Sequence, residues 1–182
     1  MLKKILTLST FLIPTTVLAM SWSQETAFID VKKTSPEAVS VHLLTEEGVI
    51  TKKENGRFYP SRLINRAEFL KMVLASRGVQ QEETSSSQCF SDVPKNAWFA
   101  PFVCQAKQEG IIKGVGTRFF PEKPVQYDEA LKMIVLLYGY SVDSTSSKDW
   151  ATPYYNVAKN RGVDLSQRIR FDTRLTRGMA TR

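Results

Sequence analysis

The sequence repeats itself, and this constrains the fold more than any other feature does. The segment Phe28-Ile29-Asp30-Val31 lies as far before Gly48 as the segment Phe90-Ser91-Asp92-Val93 lies before Gly110, and an apolar pair follows each glycine. A chain that repeats in this way is built from tandem modules of similar structure, which pack on one another because each is too small for a secure core of its own.

A second block and a third copy extend the repeat. Downstream of the glycines come Phe58-Tyr59-Pro60 and Phe119-Phe120-Pro121, which the third copy shortens to Arg170-Phe171-Asp172. Aligning the glycine of the third copy with that of the second puts five further pairs in register: Trp150 with Trp98, Pro153 with Pro101, Tyr154 with Phe102, Ala158 with Ala106, and Lys159 with Lys107. We therefore expect two full copies and an incomplete third.

The N-terminus has the pattern of a secretory signal peptide. Lys3 and Lys4 precede an apolar run from residue 5 to residue 18, and the small residue Ala19 follows. The alternative is a membrane anchor, but Pro14 and several Ser and Thr residues interrupt the run, which is shorter than the ~20 residues that a membrane span needs. We expect residues 1–19 to be removed on export and the mature chain to contain no transmembrane segment.

Charge restricts the partners only loosely. The chain has a formal net charge of +7, and removal of Lys3 and Lys4 with the signal peptide lowers it to +5. A basic exported protein is compatible with an acidic wall polymer, an anionic membrane surface or extracellular nucleic acid. A scatter of solvated Lys and Arg explains the same charge, because no run of four basic residues occurs.

The two cysteines are expected to form a disulfide. Cys89 directly precedes the Phe90 motif, and Cys104 lies in the helix predicted to follow. Disulfides are common in exported proteins, and one that closes a loop of this length contributes on the order of 3 kcal/mol in the chain-entropy model. A metal-binding or nucleophilic cysteine is disfavoured, since the lone His42 belongs to another module.

Each full module is predicted to contain two helices. Capping residues and apolar spacing predict that the first helix opens at Ser35 in the first copy, at Asn96 in the second and at Lys148-Asp149-Trp150 in the third, and that it ends at a glycine. The second helix of the first copy should begin with a capping box made by Asn65 and Glu68. The second helix of the second copy is apolar on nearly all sides, which predicts that it lies at the centre of the assembly.

These motifs together resemble the S-layer homology module. The repeat of that family has an aromatic-x-Asp-Val start, a Trp early in the first helix, a Gly-Ile-Ile-x-Gly loop, a Phe-x-Pro element and a Thr-Arg-Ala-Glu opening to the second helix. The first copy matches at Phe28, Asp30, Val31, Gly48, Phe58, Pro60, Arg66, Ala67 and Glu68. The second copy matches at Phe90, Asp92, Val93, Trp98, Gly110, Ile111, Ile112, Gly114, Phe119 and Pro121.

The resemblance implies an all-α fold of tandem helix-loop-helix modules. The modules would be arranged with pseudo-threefold symmetry around a central helix bundle. The boundaries expected from it are repeat 1 at residues 28–78, repeat 2 at 89–140 and the incomplete repeat 3 at 149–182, with linkers at 79–88 and 141–148.

The resemblance also implies a function. Members of the family fix exported proteins to the cell surface by binding wall polysaccharides, commonly ones with acidic ketal-pyruvyl groups, in grooves between neighbouring modules. The arginine that opens the second helix is a typical ligand contact, and by position that role falls to Arg66 and Arg177. Gly114, Trp98 and Trp150 complete the expected ligand-binding set. A guanidinium beside free backbone N–H groups at a helix N-terminus is suited to a carboxylate.

Other interpretations of these residues stay open. Arg66 could be a solvated charge that covers a helix end, and aromatic residues at helical spacing, such as Trp98 and Trp150, are more often core residues than sugar-stacking ones. The second copy has Tyr127 at the arginine position, so the groove there is expected to be occupied differently or to be silent.

A non-catalytic anchor is favoured over an enzyme. Adjacent carboxylates such as Glu46 and Glu47 do not face one another on a helix, and the chain contains no nucleophile, zinc or phosphate-loop motif. We therefore expect no catalytic residue, metal or cofactor. The expected partners are a cell-wall polysaccharide and other S-layer or surface proteins, and not nucleic acid. The alternative function is an exported assembly subunit that docks to another surface protein through its incomplete third module.

Overall fold

Helices are the main regular elements of the protein. The structure, a computed structural model, describes residues 28–52, 54–79, 88–145, 147–163 and 169–182. The helices in these ranges are α1 (Ala38–Glu46), α2 (Arg66–Ser76), α3 (Ala100–Gln108), α4 (Tyr127–Leu137), α5 (Thr152–Asn160) and α6 (Arg177–Ala180). Extended segments pair only in isolated bridges within the same ranges, so the all-α prediction is confirmed. The expected signal peptide and nearly all of the linker expected at 79–88 lie outside the described residues.

The first helix of each copy begins about one turn after the residue predicted to open it. Ser35, Asn96 and Asp149 lie in the turns that precede α1, α3 and α5. In the first copy the N–H of Ala38 donates to the carbonyl of Ser35 at 3.0 Å, which closes such a turn. Asp149 accepts from the N–H of Thr152 at 2.8 Å without itself being helical. The predicted starts were too early because tight turns and helix N-termini use the same capping residues.

The second helices begin as predicted. Asn65 accepts from the N–H of Glu68 at 2.8 Å, and the carboxylate of Glu68 accepts from the N–H of Asn65 at 3.2 Å, so the capping box is confirmed. In the third copy, the hydroxyl of Thr176 accepts from the N–H of Met179 at 3.2 Å and starts α6. Each bond satisfies an N–H group that the helix itself cannot satisfy.

A closed ring of backbone hydrogen bonds joins the three copies just before their second helices. The N–H of Ile64 donates to the carbonyl of Leu175 at 3.1 Å, that of Leu175 to Val125 at 2.9 Å, and that of Val125 to Ile64 at 3.0 Å. All three side chains are buried. Each copy therefore contributes one residue to a shared centre, and every bond in the ring joins different copies.

Helix α4 packs on two sides, in agreement with its nearly uniform apolar character. Met133 and Leu137 belong to the largest apolar cluster, together with residues of α2 and α3. Leu131 and Val135 belong to a second cluster, in which they meet Ala158 of α5. The helix is therefore surrounded by residues of the first, second and third copies.

The disulfide between Cys89 and Cys104 is present, as predicted. The Cα atoms of the two residues lie 5.4 Å apart, within the usual range for such bonds. The bond ties the segment that precedes Phe90 to the middle of α3, and so fixes the start of the second copy to its first helix.

Candidate functional site

Two carboxylates shape the loops that border the candidate site. Asp92 accepts from the N–H groups of Phe119 and Phe120, both at 2.8 Å, and Asp30 makes the equivalent pair of bonds in the first copy. Burial alone would raise the pKa of Asp92, but the two N–H groups and the nearby Arg118 outweigh it and hold the pKa below the ordinary value of 3.8. Asp92 is therefore a charged clamp that fixes the Phe-Phe-Pro loop.

Arg66, the first residue of α2, is held between the first and second copies. Its side chain is buried, with Nε donating to the carbonyl of Phe119 at 3.0 Å and Nη1 3.0 Å from the carboxylate of Glu129. The guanidinium carbon lies 4.8 Å from the centre of the Phe119 ring. The interpretation of Arg66 as a solvated charge is therefore wrong.

The backbone N–H groups at the start of α2 are not free, contrary to the expectation from sequence. The N–H of Arg66 donates to the carbonyl of Lys123 at 3.0 Å, and that of Ala67 to the carbonyl of Pro121 at 3.1 Å. The N–H of Glu68 is taken by the capping box. An anion bound near Arg66 would therefore be held by side chains and not by the helix terminus.

Arg66 lines a groove that all three copies build. The groove has a volume of about 420 Å³. The first copy contributes Arg66, the second copy Gly114, Phe120 and Lys132, and the third copy Trp150. We call this site the Trp150 groove. It brings together three of the five residues expected to bind ligand, namely Arg66, Gly114 and Trp150.

The Trp150 groove is cationic. Besides Arg66 it is lined by Lys113, Lys123 and Lys132. Among the described lining residues the one carboxylate is that of Glu129, which already faces Arg66 at 3.0 Å and Lys123 at 3.4 Å. Burial, together with the positive charges of Lys113 and Arg66, lowers the pKa of Lys132 below its ordinary value. The groove is therefore short of negative charge, and a bound anion would relieve the repulsion among its cations.

The two tryptophans expected to bind ligand are surface residues and not core residues. Trp98 and Trp150 are each 51% exposed. The ammonium group of Lys132 lies 5.5 Å from the centre of the Trp150 ring, and that of Lys71 lies 5.7 Å from the centre of the Trp98 ring. An exposed indole beside a cation can present its ring to a ligand.

The other two predicted residues, Arg177 and Trp98, do not line the Trp150 groove. Arg177 of the third copy makes with the first copy the contacts that Arg66 makes with the second. Its Nε donates to the carbonyl of Phe58 at 2.9 Å, and its guanidinium lies 4.7 Å from the centre of the Phe58 ring. Burial and the neighbouring Arg62 lower the pKa of Arg177. Arg177, Lys71 and Trp98 correspond to Arg66, Lys132 and Trp150 of the Trp150 groove. If the repeat forms a second, equivalent groove, these three residues are the ones that would line it.

Gly114 has a steric role within its loop. Its φ is +71°, and a Cβ atom at this position would lie 2.5 Å from both the carbonyl oxygen of Arg118 and the ring of Phe90. No other residue fits here without displacing backbone. A contact of Gly114 with ligand remains a prediction.

Tyr127 takes the arginine position in the second copy and lies in different surroundings. It lines a separate cleft with Leu131, Met179 and side chains of α1, and not the Trp150 groove. Burial, reinforced by Tyr155, raises the pKa of its phenol. This position therefore carries no positive charge.

The sequence predictions missed several residues of the groove. Phe120 and the lysines at 113, 123 and 132 all line it. Lys132 could have been found, because it follows Tyr127 by the same number of residues as Lys71 follows Arg66, and each lysine faces the tryptophan of the next copy.

The fold and the site define a repeat protein with a binding groove between its modules. Residues 27–70 and 90–131 match the family model of the S-layer homology domain. These two matched segments, which correspond to the first and second copies, are S-layer homology domains. The third copy lies outside the matched segments.

The relatives of the chain include surface proteins much longer than it. The chain is 33% identical over 128 residues to a surface layer protein of Brevibacillus choshinensis, and this alignment covers 69% of the chain and 12% of the relative. It is 36% identical over 104 residues to a middle cell wall protein of Brevibacillus brevis, an alignment that covers 56% of this chain and 10% of the relative. It is 27% identical over 167 residues to a cell surface protein of Thermoanaerobacter kivui, an alignment that covers 90% of this chain and 21% of the relative. The chain thus spans between 10% and 21% of the length of these relatives.

The expected location is confirmed by these findings. S-layer homology domains and surface-protein relatives indicate an exported protein of the cell surface. In the part of the chain that the structure describes, no helix has both the length and the apolar content that a membrane crossing requires.

Proposed function

We propose that the chain is a non-catalytic anchor that binds an acidic secondary cell-wall polysaccharide, or a glycan linked to peptidoglycan, in the Trp150 groove. The observation that carries the proposal is the convergence there of Arg66, Lys132 and Trp150 from three different copies. The S-layer homology domains and the surface-layer relatives support a structural role at the wall.

The chemistry of the groove fits a sugar that carries a carboxylate, and the pyruvyl ketal is the substituent we propose. Guanidinium and ammonium groups bind a carboxylate by charge-assisted hydrogen bonds. The exposed indole of Trp150 offers an apolar face to the C–H groups of a sugar ring. Because Glu129 already neutralises part of the charge of Arg66, we expect Lys113 and Lys132 to supply most of the attraction.

We also propose that the three copies, with the boundaries expected from the sequence, form a pseudo-threefold unit around the second helices. The backbone ring of Ile64, Val125 and Leu175 supports this arrangement. So does a second set of bonds that cycles through the copies: the N–H groups of Arg66, Tyr127 and Arg177 donate to the carbonyls of Lys123, Thr173 and Arg62, respectively. In such a unit Arg177, Lys71 and Trp98 belong to a second glycan groove.

Calorimetric titration with purified wall polysaccharide tests the proposal. The mature chain, residues 20–182, should bind the intact polysaccharide and lose most of its affinity once the pyruvyl groups are removed by mild acid. Trp150→Ala and Lys132→Ala should each weaken binding about tenfold, a loss of roughly 1.4 kcal/mol. Tyr138→Ala, at an exposed aromatic residue outside the groove, is the matched control. Equal binding by all variants would contradict the proposal.

A second function is supported by the cleft that Tyr127 lines. It has a volume of about 580 Å³ and is bordered by Val39 and Leu43 of α1, Leu131 of α4 and Met179 of α6. Val39 and Leu43 are more than half exposed, and exposed apolar surface of this kind favours contact with another protein. An assembly subunit that docks there would form concentration-dependent oligomers in sedimentation experiments, unaffected by Trp150→Ala and disrupted by Leu43→Asp.

A further inference from the structure

We infer that Phe120 is a sugar-stacking residue of the Trp150 groove, held in an unfavourable backbone conformation that presents its ring to the ligand. The inference rests on the proposed glycan-binding function and adds a residue that occupies the variable position of the Phe-x-Pro element.

The backbone of Phe120 is the first observation. Its φ is +59°, in the left-handed region that residues with a large side chain rarely adopt because Cβ approaches the following carbonyl group. Only one other non-glycine residue in the described ranges has a positive φ, and it is Tyr59, the equivalent residue of the first copy. Glycine or asparagine would adopt this conformation at lower cost. The chain nevertheless has an aromatic residue at both positions.

The surroundings of Phe120 maintain this conformation. Asp92 accepts from the N–H of Phe120 at 2.8 Å and also holds the N–H of the preceding residue. Pro121 follows, and a proline favours extended backbone at the residue before it, which adds to the cost of this conformation. Strain that neighbouring groups hold in place is typical of functional positions.

The ring of Phe120 is not needed to fill the core. The neighbouring Phe119 is fully buried and packs against Phe90, whereas Phe120 is half-buried and lines the groove that Trp150 also lines. The guanidinium of Arg118 lies 4.5 Å from the centre of the Phe120 ring. Phe120 therefore adds a second aromatic side chain to a cationic groove.

The first copy has the same arrangement at Tyr59. Tyr59 has the same φ of +59°, and Asp30 accepts from its N–H at 2.8 Å. The ring is 42% exposed, and its hydroxyl accepts a hydrogen bond from the amide of Asn55 at 2.8 Å. A costly conformation at a partly exposed aromatic residue, with its N–H bound by an aspartate and a proline following, thus occurs twice.

The combination of two aromatic side chains and four cations in the Trp150 groove indicates which class of ligand it binds. Aromatic rings pack on the C–H faces of sugar rings, and the cations require an acidic substituent. The occupant that this combination fits is an acidic pyranose unit within a polysaccharide. A small inorganic anion would bind the cations but would have no C–H groups to pack against the ring of Phe120.

The test replaces Phe120 by residues that tolerate the left-handed conformation. Phe120→Asn and Phe120→Gly should melt within about 3 °C of the wild-type chain, because relief of strain offsets the loss of a half-buried ring. Both should weaken binding to purified wall polysaccharide about five- to tenfold. Phe120→Tyr should restore binding, and Tyr138→Asn, which removes an exposed ring outside the groove, should leave it unchanged.

The outcomes separate this inference from the proposed function. If the wild-type chain does not bind the polysaccharide, the proposed function fails whatever residue stands at position 120. If the wild-type chain binds and both substituted chains bind equally well, Phe120 is not a stacking residue. If both variants melt far below the wild-type chain, the ring is needed for folding, and the inference is overturned in that case as well.

Discussion

Single side chains join the copies of this protein. Arg66 begins a helix of the first copy, yet its side chain bonds to the carbonyl of Phe119 and the carboxylate of Glu129 in the second. The guanidinium therefore stabilises the boundary between copies and also forms one wall of the Trp150 groove. A variant at this position is expected to affect stability as well as binding.

Arg66→Ala should lower the free energy of unfolding by roughly 2–3 kcal/mol, because a buried carbonyl and a carboxylate each lose a charged partner. The free energy of unfolding of Arg66→Lys should lie between those of the wild-type chain and Arg66→Ala, since an ammonium group keeps the charge but cannot bond to both acceptors as a planar guanidinium does. Urea unfolding followed by circular dichroism measures the difference. Arg161→Ala, at an exposed arginine after α5, serves as the control, and an Arg66→Ala chain as stable as wild type would contradict the assignment.

Asp92 makes stability depend on pH at the acid end of the range. Its pKa in the folded chain lies below the ordinary value of 3.8, so its contribution is fully present above that value and is lost as the pH falls through the lower folded-state pKa. Asp92→Asn should reduce stability at neutral pH and flatten the acid dependence below about pH 4. Melting curves between pH 2 and pH 7 measure it, and an unchanged acid slope in the variant would refute the role of the carboxylate.

The features of the helices that could be predicted from the sequence are those formed by residues close together in the chain. The capping box of α2 was predictable because Asn65 and Glu68 are three residues apart and satisfy one another. The starts of α1, α3 and α5 were predicted too early, since Ser35 and Asn96 suit a turn as well as a helix cap. The Cys89–Cys104 disulfide was predictable from the number of cysteines and the expected export.

The disulfide should stabilise the second copy chiefly through the unfolded chain. It closes a loop between residues separated by 15 positions, for which the chain-entropy model gives about 3 kcal/mol. Replacing both cysteines by serine should lower the free energy of unfolding by about this amount. Urea unfolding with and without a reducing agent measures the effect. Reducing agent should destabilise the wild-type chain and leave the double variant unchanged, and equal stability of the two chains would contradict this account.

At the scale of the whole molecule, the contacts that matter join different copies and could not be predicted from one sequence. Neither the ring through Ile64, Val125 and Leu175 nor the bonds from the first turn of α2 to the loop before α4 follow from local pattern. The expectation of free N–H groups beside Arg66 was wrong for this reason, because the acceptors come from the next copy. The groove itself was only implied by the family resemblance, and its lysines and Phe120 were missed.

The backbone ring predicts that the described copies unfold together. The amide protons of Ile64, Val125 and Leu175 should exchange with solvent among the slowest in the chain and with similar free energies, since opening any one bond breaks the ring. Hydrogen exchange followed by NMR or mass spectrometry measures this. The exposed residue Gly116, whose N–H group donates no hydrogen bond within the described part of the chain, provides the fast reference. Rapid exchange at Leu175 alone would show that the third copy opens independently.

The most direct test of the account is co-sedimentation of the mature chain with cell-wall sacculi from its host, before and after chemical removal of the secondary polysaccharide. We predict that the chain sediments with intact sacculi, that removal of the polysaccharide abolishes this binding, and that Trp150→Ala and Lys132→Ala weaken it. A chain that stays in the supernatant with intact sacculi, or binds equally well after the polysaccharide is removed, would contradict the central claim that the Trp150 groove anchors this protein to a wall glycan.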